Sequence, residues 1–254
     1  MTASSPSARV EPTTEILELR WRPELRVLER RTELVRSFEA SKQLASFRFD
    51  DQEVSLRLVD GMEMSVSLDG MDIARAIPAS SEAQRSHLSH VLAMMQPTIV
   101  LMRAWFSHVI PLTGNYDEIR RRTGAGLFGS WWPVRMSDWS LLAEGPANAP
   151  GANYQCEFGI VSKAEIPGRV TRQIGRVEGG PAKAGWPSTR LGNLPEVALF
   201  MDSHWLKGVA IPTSSGSERV AEFYDGVVSE ANALAASLHK SLTESLAPAE
   251  AAVE

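Results

Sequence analysis

The chain contains a single cysteine and no long apolar run, and each of these two features excludes a class of protein. Cys156 is the single cysteine among 254 residues, so an intramolecular disulfide and a cysteine-rich zinc site are both excluded. No segment approaches the roughly 18 uninterrupted apolar residues of a membrane span, and the first residues lack the apolar stretch of a signal peptide. We therefore expect a cytoplasmic protein that is neither secreted nor anchored in a membrane.

The chain also lacks an excess of positive charge. Its formal net charge is -5 and its isoelectric point is near 5.7, so it has no global attraction for nucleic acids or anionic lipid surfaces. A nucleic-acid partner would need a local basic patch. Arginine is used far more than lysine and alanine is frequent, which suggests a bacterial source with a GC-rich genome.

Familiar catalytic and cofactor motifs are missing. The sequence has no G-x-S-x-G, Walker, H-E-x-x-H or kinase signature, so we assign no catalytic residue, no cofactor and no metal. Gly124, Gly126 and Gly129 do have the G-x-G-x-x-G spacing of a dinucleotide loop, but that loop follows a strand and opens a helix. Here a helical pattern precedes the glycines and the bulky SWWPVR follows them. We interpret Gly124 as a helix C-cap and the other two glycines as shaping a turn.

The clearest pattern that is present is a β-hairpin. Val54, Leu56 and Leu58 alternate with polar residues, Asp60-Gly61 predicts a turn, and alternation resumes over 62–68. Methionines occupy part of this apolar face. At a period of two beside Val and Leu they indicate core packing rather than a soft-metal site.

The remaining periodicity predicts further strands and helices. Apolar residues keep helical spacing from 217 to 246 and predict one long helix packed across a sheet. The stretch 141–153 has a loop-like composition of Gly, Pro, Ala and Asn. We predict strands at 15–21, 98–112, 153–161, 169–177 and 195–206, and helices at 24–42, 81–96 and 115–124.

The order of these elements predicts the fold class. Strands come in groups without regular βαβ alternation, which indicates an α+β fold with a largely antiparallel, curved sheet, interspersed helices and a long C-terminal helix. We expect one domain over 14–246 between disordered tails at 1–13 and 247–254. Both halves run strands, an apolar strand and a helix, which also fits a distant internal duplication with halves 14–125 and 150–246.

One segment combines arginines with tryptophans and is our candidate partner-binding surface. Aromatic and guanidinium groups stack well on the side chains of a partner. The alternative is that the tryptophans fill the core while the arginines are solvated. The candidate residues are Arg120, Arg121, Arg122, Trp131, Trp132, Arg135 and Trp139.

Three other residues define an alternative ligand pocket. Asp202 and His204 are two apart on a predicted strand and share a face, and His239 lies on the C-terminal helix. A pocket under that helix would bring the three together. His87 and His90 also share a helix face, which we interpret as solvated rather than as a metal site, and we interpret Cys156 as a core residue.

Three stretches together resemble an uncharacterised, sporadically distributed bacterial protein family of similar length. VEPTTEILELRW resembles its opening strand, and PTIVLMRAWFSHVIPL is similar to its central strand. The end of the chain, from PEVALFMDSHW through FYDGVVSEANALAASLHKSLTESL, looks like its closing strand and helix, with Asp202 and the Leu238-His239 pair at matching positions. The resemblance implies an α+β fold, mobile or defence-associated loci, and a protein-binding role without an established activity.

Three functional hypotheses follow. The first is a non-enzymatic binding or assembly protein that recognises another protein and self-associates in some contexts. The second is a small-ligand-binding protein or enzyme with a pocket under the C-terminal helix, and the third is a single-stranded nucleic-acid binder that uses the arginine–tryptophan segment. The overall acidity makes the third the weakest.

Overall fold

The computed structural model describes residues 12–76, 81–128, 140–148, 151–169, 194–211 and 216–246. The strands are β1 (Thr14–Trp21), β2 (Leu44–Phe49), β3 (Glu53–Leu58), β4 (Glu63–Ser67), β5 (Gly70–Ala76), β6 (Ile99–Pro111), β7 (Ser140–Pro146), β8 (Asn153–Ser162) and β9 (Val197–Ile211). The helices are α1 (Leu25–Ala40), α2 (Ser81–Met95), α3 (Tyr116–Phe128) and α4 (Gly216–Leu246).

These strands form one open sheet in the order β2-β3-β4-β5-β1-β6-β9-β8-β7, and every neighbouring pair is antiparallel. The predicted α+β class, the antiparallel sheet and the long C-terminal helix are confirmed. The connectivity is similar on the two sides of the central β1–β6 pair, with four strands beyond β1 and three beyond β6. On each side, a central strand leads through a helix into an antiparallel meander, whose last strand returns beside that central strand.

Helices α1 to α4 cover one face of the sheet, which we call the helix face. Strand alternation sends Leu17, Leu19 and Trp21 of β1 to this face, where the apolar stripes of the helices pack on them. The core on this face also contains Phe38, Val54, Leu56, Met64, Leu88, Met102, Phe106, Trp205 and Val227.

The predicted hairpin is present, as strands β3 and β4. Asp60 Oδ1 accepts a hydrogen bond from the Met62 N–H at 3.1 Å, and Gly61 adopts φ +86°, which favours glycine. Met62 and Met64 are fully buried, as expected of core residues.

Two local predictions are wrong. Helix α3 does not end at Gly124 but continues to Phe128, so Gly124 and Gly126 both lie inside the helix, whereas Gly129 lies outside the described residues. A glycine ends a helix where its φ is left-handed, and neither Gly124 nor Gly126 has a positive φ. The segment predicted as a loop at 141–153 begins with strand β7. Leu141 and Ala143 of this edge strand are half-buried and pack toward the helix face, a pattern that the adjacent Gly145 and Pro146 obscured.

Two polar contacts fix α4 to the sheet. The Tyr224 hydroxyl on α4 contacts both the Glu15 carboxylate of β1 and the Gln84 side-chain oxygen of α2, the latter at 2.9 Å. Farther along α4, His108 of β6 is fully buried and its Nε2 lies 3.0 Å from Asn232 Oδ1. Burial lowers the pKa of His108 to about 4, although the bond to Asn232 acts in the opposite direction. The neutral imidazole therefore donates its Nε2–H to Asn232.

We expect Tyr224→Phe to destabilise the fold by about 1–3 kcal/mol, because a buried carboxylate loses a hydrogen-bond donor. Urea unfolding measures the change. Tyr154→Phe is the matched control, since Tyr154 is half-buried and stacks on Trp205 at 6.0 Å, and we expect it to change stability by less than about 0.5 kcal/mol. Equal losses in the two variants would contradict the assigned contact.

A second prediction concerns the loss of folding stability at acidic pH. The pKa of His108 is lower in the folded protein than its ordinary 6.5, so the unfolded chain gains a proton first as the pH falls. Stability is therefore lost between pH 6.5 and about 4, by up to about 2 kcal/mol at pH 5. Urea unfolding at pH 7 and pH 5 should show a smaller loss in His108→Gln than in the wild type. The control His239→Gln on α4 should keep the wild-type loss.

Candidate functional site

The face of the sheet opposite the helix face, here called the second face, carries an unusual number of buried polar groups. Alternation along each strand sends to it the residues between the core positions. Its buried polar members among the described residues are Thr14, Glu18, Glu63, Ser65, Asp72, Ser107 and Asp202.

The strand register aligns four of the polar side chains in one line across the sheet. Ser65 of β4 lies opposite Asp72 of β5, Asp72 opposite Glu18 of β1, and Glu18 opposite Arg103 of β6. We call these four residues the charged row. Glu18 is 3% exposed and accepts hydrogen bonds from Arg20 Nε and, at 3.3 Å, from Arg103 Nη1. Directly opposed side chains in a sheet interact across about 5 Å, so the row is electrostatically coupled.

Asp72 is the member of the charged row whose carboxyl group is left without a hydrogen bond at one oxygen. It is 6% exposed, and its Oδ1 has no hydrogen-bond partner among the described residues. The pKa of Asp72 is raised to about 8, chiefly by burial and in addition by the neighbouring carboxylate of Glu18, against the opposing effect of Arg20. At neutral pH Asp72 is therefore mostly a neutral carboxylic acid beside the Glu18 carboxylate.

A row of planar groups lies next to the charged row. Trp105 of β6 and His204 of β9 are opposite one another, with ring centroids 4.6 Å apart and planes tilted by 2°. Gln155 of β8 and Glu144 of β7 continue this row, and Gln155 Nε2 donates to Glu144 Oε1 at 2.6 Å. The stack positions the imidazole and leaves polar groups beyond it on the exposed strands.

An open cleft of about 560 Å³ lies over these last strands. It is lined by Glu144, Gly145, Pro146, Asn153, Tyr154, Gln155, His204 and Leu206. Leu206 is directly opposite Arg103 in the register, so the cleft adjoins the charged row. Together they form a largely polar strip from β4 to β7, interrupted by the apolar side chains of Trp105 and Leu206.

The strip offers two kinds of chemistry. A neutral carboxyl can donate a hydrogen bond, and an ionised carboxyl can hold a cation. Asp72 and His204 lie three strand spacings apart, or about 14 Å, so they cannot act on the same atom of a small substrate. An extended ligand could contact both.

The structure does not bring together the three residues of the pocket predicted under the C-terminal helix. Asp202 and His204 project from the second face, because the intervening Ser203 and the flanking Met201 and Trp205 project toward α4. His239 lies on α4, on the other side of the sheet. Of the three, only His204 lines the cleft.

The structure describes the arginines of the predicted partner-binding segment, but Trp131, Trp132, Arg135 and Trp139 lie outside the described residues. Arg120 is half-buried, with its Nη2 3.7 Å from Asp117 and its guanidinium 5.9 Å from the Tyr116 ring. Arg121 is exposed and hydrogen-bonds both carboxylate oxygens of Glu118. Arg122 is half-buried. Acidic residues one turn earlier on α3 therefore offset part of the positive charge.

The other residues considered from the sequence have structural roles. His87 is 4% exposed and hydrogen-bonds Asp60 at 2.9 Å, so the prediction of a solvated face is wrong for it, whereas His90 is exposed and contacts Ser37 at 2.8 Å. Cys156 is fully buried in the core, as predicted, and burial raises the pKa of its thiol to about 12. Among the described residues, no group of His, Cys, Asp and Glu is arranged to hold a metal ion.

The charged row was missed at the sequence level. Glu18 and Arg20 lie together with Ile16 on one face of the first predicted strand, and no functional role was assigned to that face. A detectable signal was the presence of Glu18 and Asp72 on two strands flanked by apolar residues. Their juxtaposition depends on pairing between β1, β5 and β6, which no local pattern encodes.

Comparison with known proteins adds no functional assignment. No protein-family model matches the chain, and no curated protein matches it. The resemblance to a bacterial family therefore stays a prediction. In the described part of the chain, no helix has the length and apolar character needed to cross a membrane.

We expect Asp72→Asn to stabilise the protein. The pKa of Asp72 is raised from 3.8 to about 8, so between these values the folded state retains a proton that the unfolded state releases, and stability falls as the pH rises. Asparagine removes this cost. The free energy of unfolding should rise by about 5 kcal/mol at pH 8 and by about 2 kcal/mol at pH 5.

Urea unfolding at the two pH values measures the difference. The control is Asp69→Asn, because the Asp69 side chain is 56% exposed in the adjacent turn. A gain for Asp72→Asn that does not depend on pH, or that Asp69→Asn shares, would show that the carboxyl of Asp72 is not the source.

Proposed function

We propose that the protein is a non-enzymatic binding protein and that the polar strip of its second face receives an extended segment of another protein. One observation carries the proposal: an open cleft of about 560 Å³ adjoins a row of buried polar side chains, one of which has no partner among the described residues. Buried polar groups in folded proteins are almost always hydrogen-bonded. A partner that reaches the row supplies the missing contact.

The spread of the polar groups favours a polypeptide ligand over a small substrate. The strip crosses the sheet from β4 to β7, whereas catalytic groups need to converge on one reacting centre. The cleft lies beside β7, an edge strand whose Leu142 is 62% exposed. Exposed apolar and polar groups side by side are typical of a protein-binding surface. We place this activity in the bacterial cytoplasm.

A photocrosslinking experiment tests the proposal. A photoreactive benzoylphenylalanine replaces Gln155, which is exposed in the cleft, or Glu222, which is exposed on α4. After irradiation in the native cytoplasm, we expect a discrete crosslinked protein from position 155 and none from position 222. The crosslinked residues of the partner are identified by mass spectrometry.

The comparison of positions makes the experiment decisive. The same crosslinked species from both positions would indicate non-specific contact. A discrete partner from position 222 alone would assign binding to the helix face and contradict the proposal.

A further inference from the structure

We propose that the charged row is a subsite for a basic side chain, and that it takes an arginine guanidinium of the bound segment at the carboxyl groups of Asp72 and Glu18. This inference rests on the proposed function, since it names the chemistry of the partner that the second face receives. Three observations support it: the charge of the face, the unpartnered atom of Asp72, and the way the protein's own arginines are engaged.

The second face carries more acidic than basic side chains. The acidic ones on its described strands are Glu18, Glu53, Glu63, Asp72, Glu144, Glu157 and Asp202, and the basic ones are Arg20, Arg48, Arg57 and Arg103. Outside the strands, the turn before β5 adds Asp69, and Arg169 adds a guanidinium that donates to Glu157. An acidic surface attracts a cationic partner and disfavours an anionic one such as a nucleic acid.

Asp72 provides a buried carboxyl group with an unmet acceptor that such a partner would satisfy. Its side chain is more than nine-tenths buried, and Oδ1 has no hydrogen-bond donor among the described residues. The facing Ser65 hydroxyl does not serve it, because that hydroxyl donates to Glu53 Oε2 at 3.0 Å. Leaving a buried acceptor unmet is costly, and a planar guanidinium offers several donors in a geometry that matches carboxylates.

The protein's own arginines do not hydrogen-bond the Asp72 carboxyl, which is therefore available to an arginine of the bound segment. Arg20 and Arg103 both donate to Glu18, and neither makes a hydrogen bond to Asp72. Arg57 lies 3.8 Å from Glu63. The side chains of Arg20 and Arg103 are 29% and 37% exposed, so the rim of the row reaches solvent on both sides of Glu18.

Binding of a cation at Asp72 is coupled to release of its proton. The charged groups around it are Glu18 and Arg20 of β1, Glu53 of β3, Asp69 of the turn and Arg103 of β6. An arginine needs the ionised carboxylate, whereas burial and the neighbouring carboxylates favour the neutral acid below pH 8. Affinity should therefore rise with pH, by up to about tenfold per unit between pH 6 and pH 8.

The experiment measures binding of a fluorescein-labelled decapeptide of alternating arginine and glycine to the full chain by fluorescence anisotropy at pH 6, 7 and 8.5. The control peptide has glutamate in place of arginine. We expect the arginine peptide alone to bind, with an affinity that rises with pH. Asp72→Asn should weaken binding at pH 8.5 by at least about tenfold and remove the pH dependence below pH 8.

The variants separate a specific subsite from general attraction. Asp72→Asn is expected to stabilise the fold, so its loss of affinity cannot come from unfolding. The matched control is Glu157→Gln on the same face, because Glu157 already accepts a hydrogen bond from Arg169 at 3.0 Å. It should bind the arginine peptide within about twofold of the wild type. Equal loss in the two variants, or arginine and glutamate peptides that bind alike, would overturn the proposal.

Failure of this inference is distinguishable from failure of the proposed function. A discrete crosslinked partner at position 155, together with indifference to Asp72→Asn, would leave a binding protein whose partner is not held by the charged row. Specific binding of the arginine peptide without any crosslinked partner would support the subsite for a basic side chain and contradict the proposed protein partner.

Discussion

The pairing of β1 with β6 in one register is the constraint on which both faces of the sheet depend. It places Leu17 opposite Ala104 and Leu19 opposite Met102 on the helix face, and in the same step Glu18 opposite Arg103 on the second face. A shift of one residue would turn these sets over and bury charges beneath the helices. Packing of α1, α2 and α4 on the apolar set therefore also maintains the charged row.

The two faces use buried polar groups in opposite ways. On the helix face, the Glu15 carboxylate meets the Tyr224 hydroxyl and His108 meets Asn232, so the polar contacts hold α4 in place. On the second face, Asp72 has no such partner among the described residues and carries a stability cost. Groups that destabilise a fold without a structural benefit are concentrated at functional surfaces.

The elements with a local signal could be predicted from the sequence. The hairpin at Asp60-Gly61 and helix α4 each have a complete periodic signal within one segment, and the absence of βαβ alternation indicates an antiparallel sheet. Strand β7 was missed because its Gly145 and Pro146 resemble a loop. The candidate site was harder to predict, since the charged row arises from the register of distant strands. Helical periodicity does not specify on which side of the sheet α4 packs. This tertiary arrangement separates His239 from His204.

The order of strands along the chain has a consequence for synthesis. β6 lies between β1 and β9 in the sheet, but β9 begins only at residue 197, long after β6 ends at residue 111. At a ribosomal rate of about 5–20 residues per second, one edge of β6 stays without its partner strand for roughly 4 to 17 seconds. An unpaired strand edge is a template for aggregation. Arg103, Ser107 and His108 interrupt the apolar residues of β6, so this nascent edge is not a continuous hydrophobic strand.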